Sequence, residues 1–267
     1  MSHIALRTRA APDSALIANW PDHADPVGYL HSVETGAAAD GPGMRFIYFV
    51  AGCPLRCLYC HNPDTWKFAS GRVVTLDDAI EEIRPYAHFL RKAGGVTISG
   101  GEPLTQRNFV GRLLLRLRDE LGLHTALDTQ GFLGHKVSDA WLDAVDLVLL
   151  DVKHADPGAY RLITSRALQP TLDFGDRLTR LRKPMWIRYV LVPGLTDAPA
   201  DLEKLADTLL PWGEAIQRVE VLPYHRMGAP KWLELGRSYP LGETRPPTAE
   251  NLAAAIDLLR RRGLPAF

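Results

Sequence analysis

All three cysteines of the 267-residue chain lie close together in one short stretch. Cys53, Cys57 and Cys60 stand in GCPLRCLYCHNPDTW, with three residues between the first two and two residues between the second two. Thiolates bind soft metals, so this spacing indicates either a zinc site or an iron–sulfur cluster. Three neighbouring cysteines also cannot form a disulfide framework, which favours reduced thiols and a cytoplasmic protein.

The two metal hypotheses differ in the number of protein ligands that they need. A structural zinc site takes four ligands, and His61, next to Cys60, would have to be the fourth. Adjacent residues rarely reach the same metal ion without strain. A [4Fe–4S] cube held by three cysteines leaves one iron without a protein ligand, where a substrate or cofactor can bind. The spacing therefore favours the cluster and leaves zinc as the alternative.

Short apolar segments alternate with helical patterns from Met44 onwards. Such segments are typical of strands buried on both faces, and the alternation predicts right-handed βαβ units with a parallel sheet. Six strands are too few for a closed eight-stranded barrel, so the pattern fits an incomplete barrel or an open doubly wound sheet. The predicted strands cover residues 44–50, 95–100, 124–129, 147–153, 185–193 and 218–225.

The segments between these strands predict helices with recognisable ends. Thr75 and Asp78 form a capping-box pattern before an apolar stripe, and Pro85 is expected to divide that helix. Residues 106–121 form a clear amphipathic pattern. Further helices are predicted at 138–144, in pieces over 156–182, at 200–211 and at 249–262.

The N-terminal segment and the overall composition limit the architecture and the partners. Most of the first 40 residues lack a periodic pattern, and we interpret residues 1–28 as a loose arm and residues 29–267 as one domain. Acidic and basic residues number 31 each, which gives no general attraction to nucleic acid or anionic lipid. No apolar run is long enough for a transmembrane helix. We therefore expect neither nucleic-acid nor membrane binding.

Polar residues follow the predicted strands where these end. The second strand ends in SGGEP, the third in DTQG, the fourth in DVK and the sixth in LPYH, while Arg188 lies within the fifth. The carboxyl ends of parallel strands meet on one face, where ligands bind. Turn formation explains the glycines and prolines but not Lys153 or His225. We therefore expect these residues and the cysteine loop to share one site.

The cysteine spacing after a first strand resembles the radical S-adenosylmethionine (SAM) superfamily. The stretch DGPGMRFIYFVAGCPLRCLYCHNPDTW and the motifs SGGEP, DTQG, LLDVKH, WIRYVLVPG and LPYHRMGAPKW resemble the pyruvate formate-lyase-activating enzymes in order and spacing. The resemblance extends from about residue 29 to the end of the chain. It implies an α/β fold, an incomplete (β/α)6 TIM-like barrel of parallel strands with outer helices.

The resemblance implies an oxidoreductase that activates a glycyl-radical enzyme. Its [4Fe–4S] cluster, held by Cys53, Cys57 and Cys60, would cleave SAM reductively to methionine and a 5′-deoxyadenosyl radical. That radical would take a hydrogen atom from one glycine of a pyruvate formate-lyase (formate acetyltransferase), and a flavodoxin or ferredoxin would supply the electron. Many other activases carry extra cysteine clusters, and their absence from this chain favours a pyruvate formate-lyase as the partner.

The resemblance also assigns roles to single residues. Lys153 joins the three cysteines in the catalytic set, Asp128 and Asp151 form a monovalent-cation site, and Asp40 contacts the glycine loop of the partner. Gln130 departs from the family, which often has asparagine there. The residues implied to bind SAM are Tyr59, Cys60, His61, Gly101, Asp151, Val152, Lys153, Arg188 and His225.

Other hypotheses remain open from the residues alone. The same cluster chemistry could act on a small molecule, although the motifs beyond the cysteines argue against this. The chain could also be a non-catalytic binding module stabilised by zinc. At the level of single residues, Asp128 could simply cap a strand end and His225 could be a buried structural histidine.

Overall fold

The computed structural model describes residues 26–267, so the expected arm lies outside the described residues up to position 25. Eight strands form one sheet in this range: β1 (Gly28–Ala37), β2 (Met44–Val50), β3 (Arg72–Val74), β4 (Gly94–Gly100), β5 (Thr125–Thr129), β6 (Leu147–Asp151), β7 (Met185–Leu191) and β8 (Ile216–Pro223). Their order across the sheet is β3-β1-β2-β4-β5-β6-β7-β8.

The six strands that the sequence predicts form a parallel array. β2 pairs with β4, and each strand from β4 to β8 pairs in parallel with the next along the chain. Their side chains are buried almost throughout, which explains why they read as continuous apolar runs. The array does not close, because β8 and β3 are the two edges of the sheet. The fold is therefore the predicted α/β type, an incomplete barrel of parallel strands.

Two antiparallel strands extend this array, and the sequence did not predict them. β1 pairs with β2, and β3 pairs with β1. β1 begins at Gly28, the last residue assigned to the arm, and the sequence predicted no strand at Gly28–Ala37. Most residues in the second half of β1 are exposed, so the strand carries no apolar periodicity that the sequence could reveal.

The helices follow the predicted pattern closely. Thr75 and Asp78 cap the first helix reciprocally, at 3.1 and 3.0 Å, and Pro85 lies in the turn that separates the first two helices. The helices are α1 (Leu76–Ile83), α2 (Ala87–Ala93), α3 (Arg107–Asp119), α4 (Asp139–Leu142), α5 (Pro157–Thr164), α6 (Gln169–Arg180), α7 (Pro199–Leu209), α8 (Ala229–Glu234) and α9 (Ala249–Arg261).

Helix length and position agree with a sheet flanked by packed helices. α3 and α9 are the longest described helices, at 13 residues each. Between residues 26 and 267 no helix is both long enough and apolar enough to cross a membrane. α8 was not predicted, because six residues with a proline near the start are too few to show a period.

Tight packing between α3 and α4 depends on a glycine. A Cβ atom built on Gly111 would lie 2.1 Å from Nε1 of Trp141, far inside van der Waals contact. That indole N–H donates a hydrogen bond to the carbonyl oxygen of Arg107 at 2.8 Å. Any side chain at position 111 must therefore displace a buried ring and break its hydrogen bond.

We expect Gly111→Ala to lower the free energy of unfolding by about 1–2 kcal/mol. Overpacking costs about 1–3 kcal/mol, and a Cβ this close to a buried ring places the cost in the upper part of that range, above the gain of about 1 kcal/mol from replacing a helical glycine with alanine. Urea unfolding followed by circular dichroism measures the difference. Gly242→Ala is the matched control, because its Cβ would meet no atom closer than 3.5 Å. An unchanged or higher midpoint for Gly111→Ala would contradict the packing argument.

Candidate functional site

A cavity of about 400 Å³ lies at the carboxyl ends of the parallel strands. All six parallel strands contribute to it, directly or through the residues that follow them. The predicted site residues that line the cavity are Asp40, Cys53, Cys57, Tyr59, Cys60, His61, Gly101, Asp128, Asp151, Lys153, Arg188 and His225.

Val152 is the predicted SAM-binding residue that does not line the cavity. Its side chain is buried in the main hydrophobic core, and its N–H donates to the carbonyl oxygen of Arg188 at 3.1 Å. Successive residues of an extended chain point to opposite sides. Asp151 and Lys153 therefore face the cavity, while Val152 packs behind them.

The cysteine loop, residues 51–71, begins at the end of β2 and returns on itself. The N–H of Gly52 donates to the carbonyl oxygen of Thr65 at 2.6 Å, and that of Cys53 donates to Trp66 at 3.2 Å. The N–H of Leu58 donates to Ile163 in α5, at 3.0 Å. These backbone hydrogen bonds hold the three cysteines at the edge of the cavity.

Helix α8 supports the same loop from its other end. The indole N–H of Trp232 donates to the carbonyl oxygen of Cys60 at 2.9 Å, and Lys231 donates to the side chain of Asn62 at 2.8 Å. The ring of Trp232 also packs edge-on against Trp66, with 5.1 Å between centroids. An element that the sequence did not predict therefore fixes the third cysteine.

The three thiols are buried in an apolar setting. Burial raises the pKa of Cys53, Cys57 and Cys60, and that of Cys57 to about 12. Thiols with such pKa values become thiolates only when a bound cation supplies positive charge. In residues 26–267, no three His, Cys, Asp or Glu side chains are grouped closely enough to hold a single metal ion. A [4Fe–4S] cluster does not require three ligands around one metal ion, because each cysteine binds a different iron.

Asp151 and Lys153 form an ion pair on the cavity wall. Lys153 Nζ lies 2.9 Å from Asp151 Oδ2, and both side chains are largely buried. Burial disfavours the ammonium group, but Asp151 outweighs this effect, and the pKa of Lys153 rises above its usual range. The pair therefore presents opposite full charges side by side, which matches the ammonium and carboxylate groups of an amino acid.

Arg188 connects the turn that contains Asp40 to the cavity. Its Nη1 donates to Asp40 Oδ1 at 3.0 Å and to Asp128 Oδ2 at 3.1 Å, and Glu220 lies 3.7 Å from its Nε. Ser99 donates a further hydrogen bond to Asp128, at 2.6 Å. Burial raises the pKa of Asp128 to about 6, although Arg188 opposes the rise. Arg188 therefore binds two predicted site residues that are distant in the sequence.

His61 and His225 form a stacked pair. Their ring centroids are 3.9 Å apart with 26° between the planes, and His61 Nε2–H donates to the carbonyl oxygen of His225 at 3.2 Å. Burial, reinforced by His225, lowers the pKa of His61 to about 4. The His61 ring is therefore neutral at pH 7 and offers the cavity a flat, uncharged surface.

Glu102 is a structural residue of the site that the sequence reasoning missed. Its carboxylate is fully buried and accepts hydrogen bonds from Thr129 Oγ1 at 2.6 Å and from the N–H groups of Leu104 and Gln130, each at 3.0 Å. These bonds join the ends of β4 and β5. Burial raises the pKa of Glu102 to about 7. The sequence does contain a signal that could have identified Glu102, because its carboxylate comes directly after two glycines at a strand end.

Several polar atoms on the cavity wall are buried without a hydrogen-bond partner among the described residues. They are Tyr59 Oη, Asp128 Oδ1, Gln130 Oε1 and Arg188 Nε. The amide nitrogen of Gln130 donates to the carbonyl oxygen of Gly101 at 3.2 Å, so the longer side chain does make a contact here. A Cβ on Gly101 would lie 2.5 Å from the oxygen of Gly52, so only glycine lets this strand end approach the cysteine loop. The wall fits a polar ligand beside a thiol-bound cluster.

Comparison with known proteins agrees with this chemistry. Residues 47–209 match the family model described as "Radical SAM superfamily". The chain is 41% identical over 244 residues to the pyruvate formate-lyase-activating enzyme of Staphylococcus aureus (strain USA300), covering 88% of this chain and 96% of the relative. The chain belongs to the radical SAM superfamily, in the family of pyruvate formate-lyase-activating enzymes. This radical SAM family uses a [4Fe–4S] cluster and SAM, and the cavity fits both.

Solved structures share the fold at low sequence identity. A domain of the pyruvate-formate lyase-activating enzyme from Bacteroides vulgatus aligns with a TM-score of 0.53 and 24% identity, over 66% of this chain and 98% of that chain. SuiB of Streptococcus suis, bound to S-adenosylmethionine, aligns with a TM-score of 0.61 and 17% identity, over 85% of this chain and 50% of SuiB. These likenesses confirm the fold class.

Glu102 predicts how stability depends on pH. A carboxyl whose pKa rises from 4.5 to about 7 on folding favours the folded state while it is protonated, so stability falls as pH rises through this window. The loss is about 3 kcal/mol at about 1.4 kcal/mol per pH unit. Glu102→Gln cannot ionise and should lack this component. Urea unfolding of the cluster-free wild type and the cluster-free Glu102→Gln variant at pH 5 and pH 8 measures this loss of stability. An identical pH dependence in the two proteins would refute the raised pKa of Glu102.

Proposed function

We propose that the protein activates a pyruvate formate-lyase by creating a radical on one of its glycines. The observation that carries this proposal is the meeting of the three thiols and the Asp151–Lys153 pair in one cavity. The 41% identity to a pyruvate formate-lyase-activating enzyme over most of the chain supports the same reaction. The partner is a protein, so its glycine must enter the open mouth of the cavity.

Cys53, Cys57 and Cys60 would hold the [4Fe–4S] cluster. When bound, the cluster supplies the electron that cleaves SAM to methionine and a 5′-deoxyadenosyl radical, which removes a hydrogen atom from the glycine Cα. The chain binds and orients SAM: Lys153 faces its carboxylate and Asp151 its ammonium group. The stacked His61–His225 rings offer a stacking surface for the adenosyl portion. Burial of the wall excludes water, which strengthens the charged contacts to SAM.

The remaining site residues have roles at the mouth of the cavity. Asp40 contacts the glycine loop of the partner, and Arg188 holds its carboxylate at 3.0 Å. Asp128 and Asp151 form a monovalent-cation site, for which the unpartnered Oδ1 of Asp128 is available. A flavodoxin or ferredoxin reduces the cluster, and the reducing cytoplasm keeps the three thiols free before the cluster is built.

Anaerobic reconstitution with iron and sulfide tests the proposal. The reduced protein should release 5′-deoxyadenosine from SAM and produce a glycine-centred doublet on an added pyruvate formate-lyase in electron paramagnetic resonance. Cys57→Ala is the control and should bind no intact cluster while its circular dichroism is retained. A cluster-loaded, reduced protein that releases no 5′-deoxyadenosine would refute the reaction. Cleavage without a lyase radical would favour a small-molecule substrate, and one zinc without sulfide would favour a binding module.

Replacing the ammonium group of Lys153 tests its contact with SAM. Lys153→Met keeps most of the side-chain volume, so we expect SAM affinity to fall about tenfold to a hundredfold, the worth of one or two charge-assisted hydrogen bonds. Iron content should stay at the wild-type level. Lys204→Met is the matched control, since Lys204 also pairs with an aspartate, Asp156, but on the exposed surface. Equal SAM affinity in both variants, measured by titration, would remove Lys153 from the site.

A further inference from the structure

The outer surface of the cysteine loop carries a group of exposed cations. Arg56 and Lys67 belong to the loop itself, while Arg166 and Arg237 reach it from other segments. Nε of Arg166 donates to the carbonyl oxygen of Pro54 at 2.8 Å. We call these four residues the basic face. None of them lines the cavity where SAM and the glycine would bind.

Trp66 connects the basic face to a cluster ligand. The guanidinium carbons of Arg56 and Arg237 lie 4.7 and 5.4 Å from the centroid of the Trp66 ring. The carbonyl oxygen of Trp66 accepts a hydrogen bond from the N–H of Cys53 at 3.2 Å, and its ring packs against Trp232, whose indole N–H donates to the carbonyl oxygen of Cys60. Arg56 further donates to the carbonyl oxygen of Cys53 at 2.7 Å. Arg56 and Arg237 are therefore connected to the backbone of two of the three cysteines through at most two aromatic side chains.

The charges of the basic face are not neutralised within the described residues. None of its four cations has a carboxylate within salt-bridge distance there, whereas Asp64 of the same loop forms an ion pair with Lys231 at 3.1 Å and a hydrogen bond with His31 at 3.0 Å. The whole chain has a formal net charge of zero, so this local excess is not a general property of the surface. Like charges kept together without counter-charges repel one another, and an acidic surface would relieve that repulsion.

Two exposed apolar side chains lie next to this region. Met227, two residues before α8, is 79% exposed, and Leu233, within α8, is 69% exposed. The neighbour of Leu233 in the chain, Trp232, packs against Trp66. Cations around exposed apolar residues are a common composition for a transient protein interface.

We propose that the basic face is the docking surface for an acidic one-electron carrier protein, which reduces the cluster from this side. The inference rests on the proposed function, since only a bound cluster needs the electron. Electron transfer slows steeply with distance, and the basic face contacts the cysteine loop directly, at the Trp66 ring and at the carbonyl oxygen of Cys53. Because the basic face is separate from the cavity lining, the carrier and the glycine loop need not compete for the same residues.

Charge reversal on the basic face tests the inference. Lys67→Glu/Arg237→Glu changes two cations whose side chains make no hydrogen bond to the cysteine loop, so the loop itself should stay intact. At low salt, calorimetry should show affinity for oxidised flavodoxin weakened about tenfold or more, which corresponds to two lost interfacial charge pairs. SAM cleavage driven by photoreduced flavodoxin should slow by a similar factor. Cleavage driven by photoreduced 5-deazariboflavin, a small neutral donor, should keep the wild-type rate.

The matched control is Arg180→Glu/Arg261→Glu. Both residues are exposed, end α6 and α9, and have no described carboxylate partner, so the change in net charge is the same. This variant should bind flavodoxin like the wild type. Raising the salt concentration should weaken wild-type binding more than binding by the basic-face variant, because screening acts on the charges that remain.

Four results would overturn the inference. The first is unchanged flavodoxin affinity in Lys67→Glu/Arg237→Glu, and the second is an equal loss in the control variant. The third is a parallel loss with 5-deazariboflavin, which would mean that the substitutions damage the cluster site. The fourth is a Lys67→Glu/Arg237→Glu variant that still binds flavodoxin but no longer produces the lyase radical, which would assign the basic face to the glycyl-radical partner. A wild-type protein that cleaves no SAM with either donor would refute the proposed function instead.

Discussion

Parallel pairing of six strands is the constraint on which the site depends. Backbone hydrogen bonds from β2 to β8 align the strands in one direction, so their carboxyl ends lie along one edge. Residues that are far apart in the chain, such as Gly101, Asp151 and His225, therefore face a common cavity. The alternation of side chains along each strand then selects which residues reach it, as Asp151 and Lys153 do and Val152 does not.

Burial at this edge would be unfavourable without compensating charges. Lys153 is paired with Asp151, and Arg188 is surrounded by Asp40, Asp128 and Glu220. A buried charge that loses its partner costs several kcal/mol, so these pairs also fix the positions of the side chains. Four of the eight buried polar side-chain atoms without a hydrogen-bond partner in the described residues belong to Tyr59, Asp128, Gln130 and Arg188 on the same wall, as expected of a site built to receive a polar ligand.

The cysteine loop is held by elements on either side of it. α5 accepts its backbone N–H groups, α8 donates to Cys60 and Asn62, and β4 approaches it through Gly101. This support leaves one surface of the loop facing the cavity and another facing solvent. A loop with two accessible sides can receive an electron from one direction and use it in another, which is the physical basis of the docking proposal.

The sequence by itself determined the chemistry and the main architecture. Apolar segments revealed the six parallel strands, and residue types at fixed spacing revealed the Thr75–Asp78 cap and the break at Pro85. These signals depend on burial and on neighbours within a few residues, so the sequence shows them directly. The cysteine spacing indicated the cluster for the same reason. The sequence did not reveal β1, because the exposed residues of this strand have no apolar period, or α8, because this helix is too short to show one.

Only the tertiary structure decided how distant polar groups pair. Glu102 meets Thr129, Arg188 meets Asp40 and Asp128, and Trp232 meets Cys60 across 27 to 172 positions of sequence. Such partners leave no periodic trace, because a hydrogen bond between distant residues depends on where the sheet and its loops bring them. The chain's pattern therefore named most of the side chains at the site, while the folded sheet determined their partners, their charge states and the surface from which the loop can be reached.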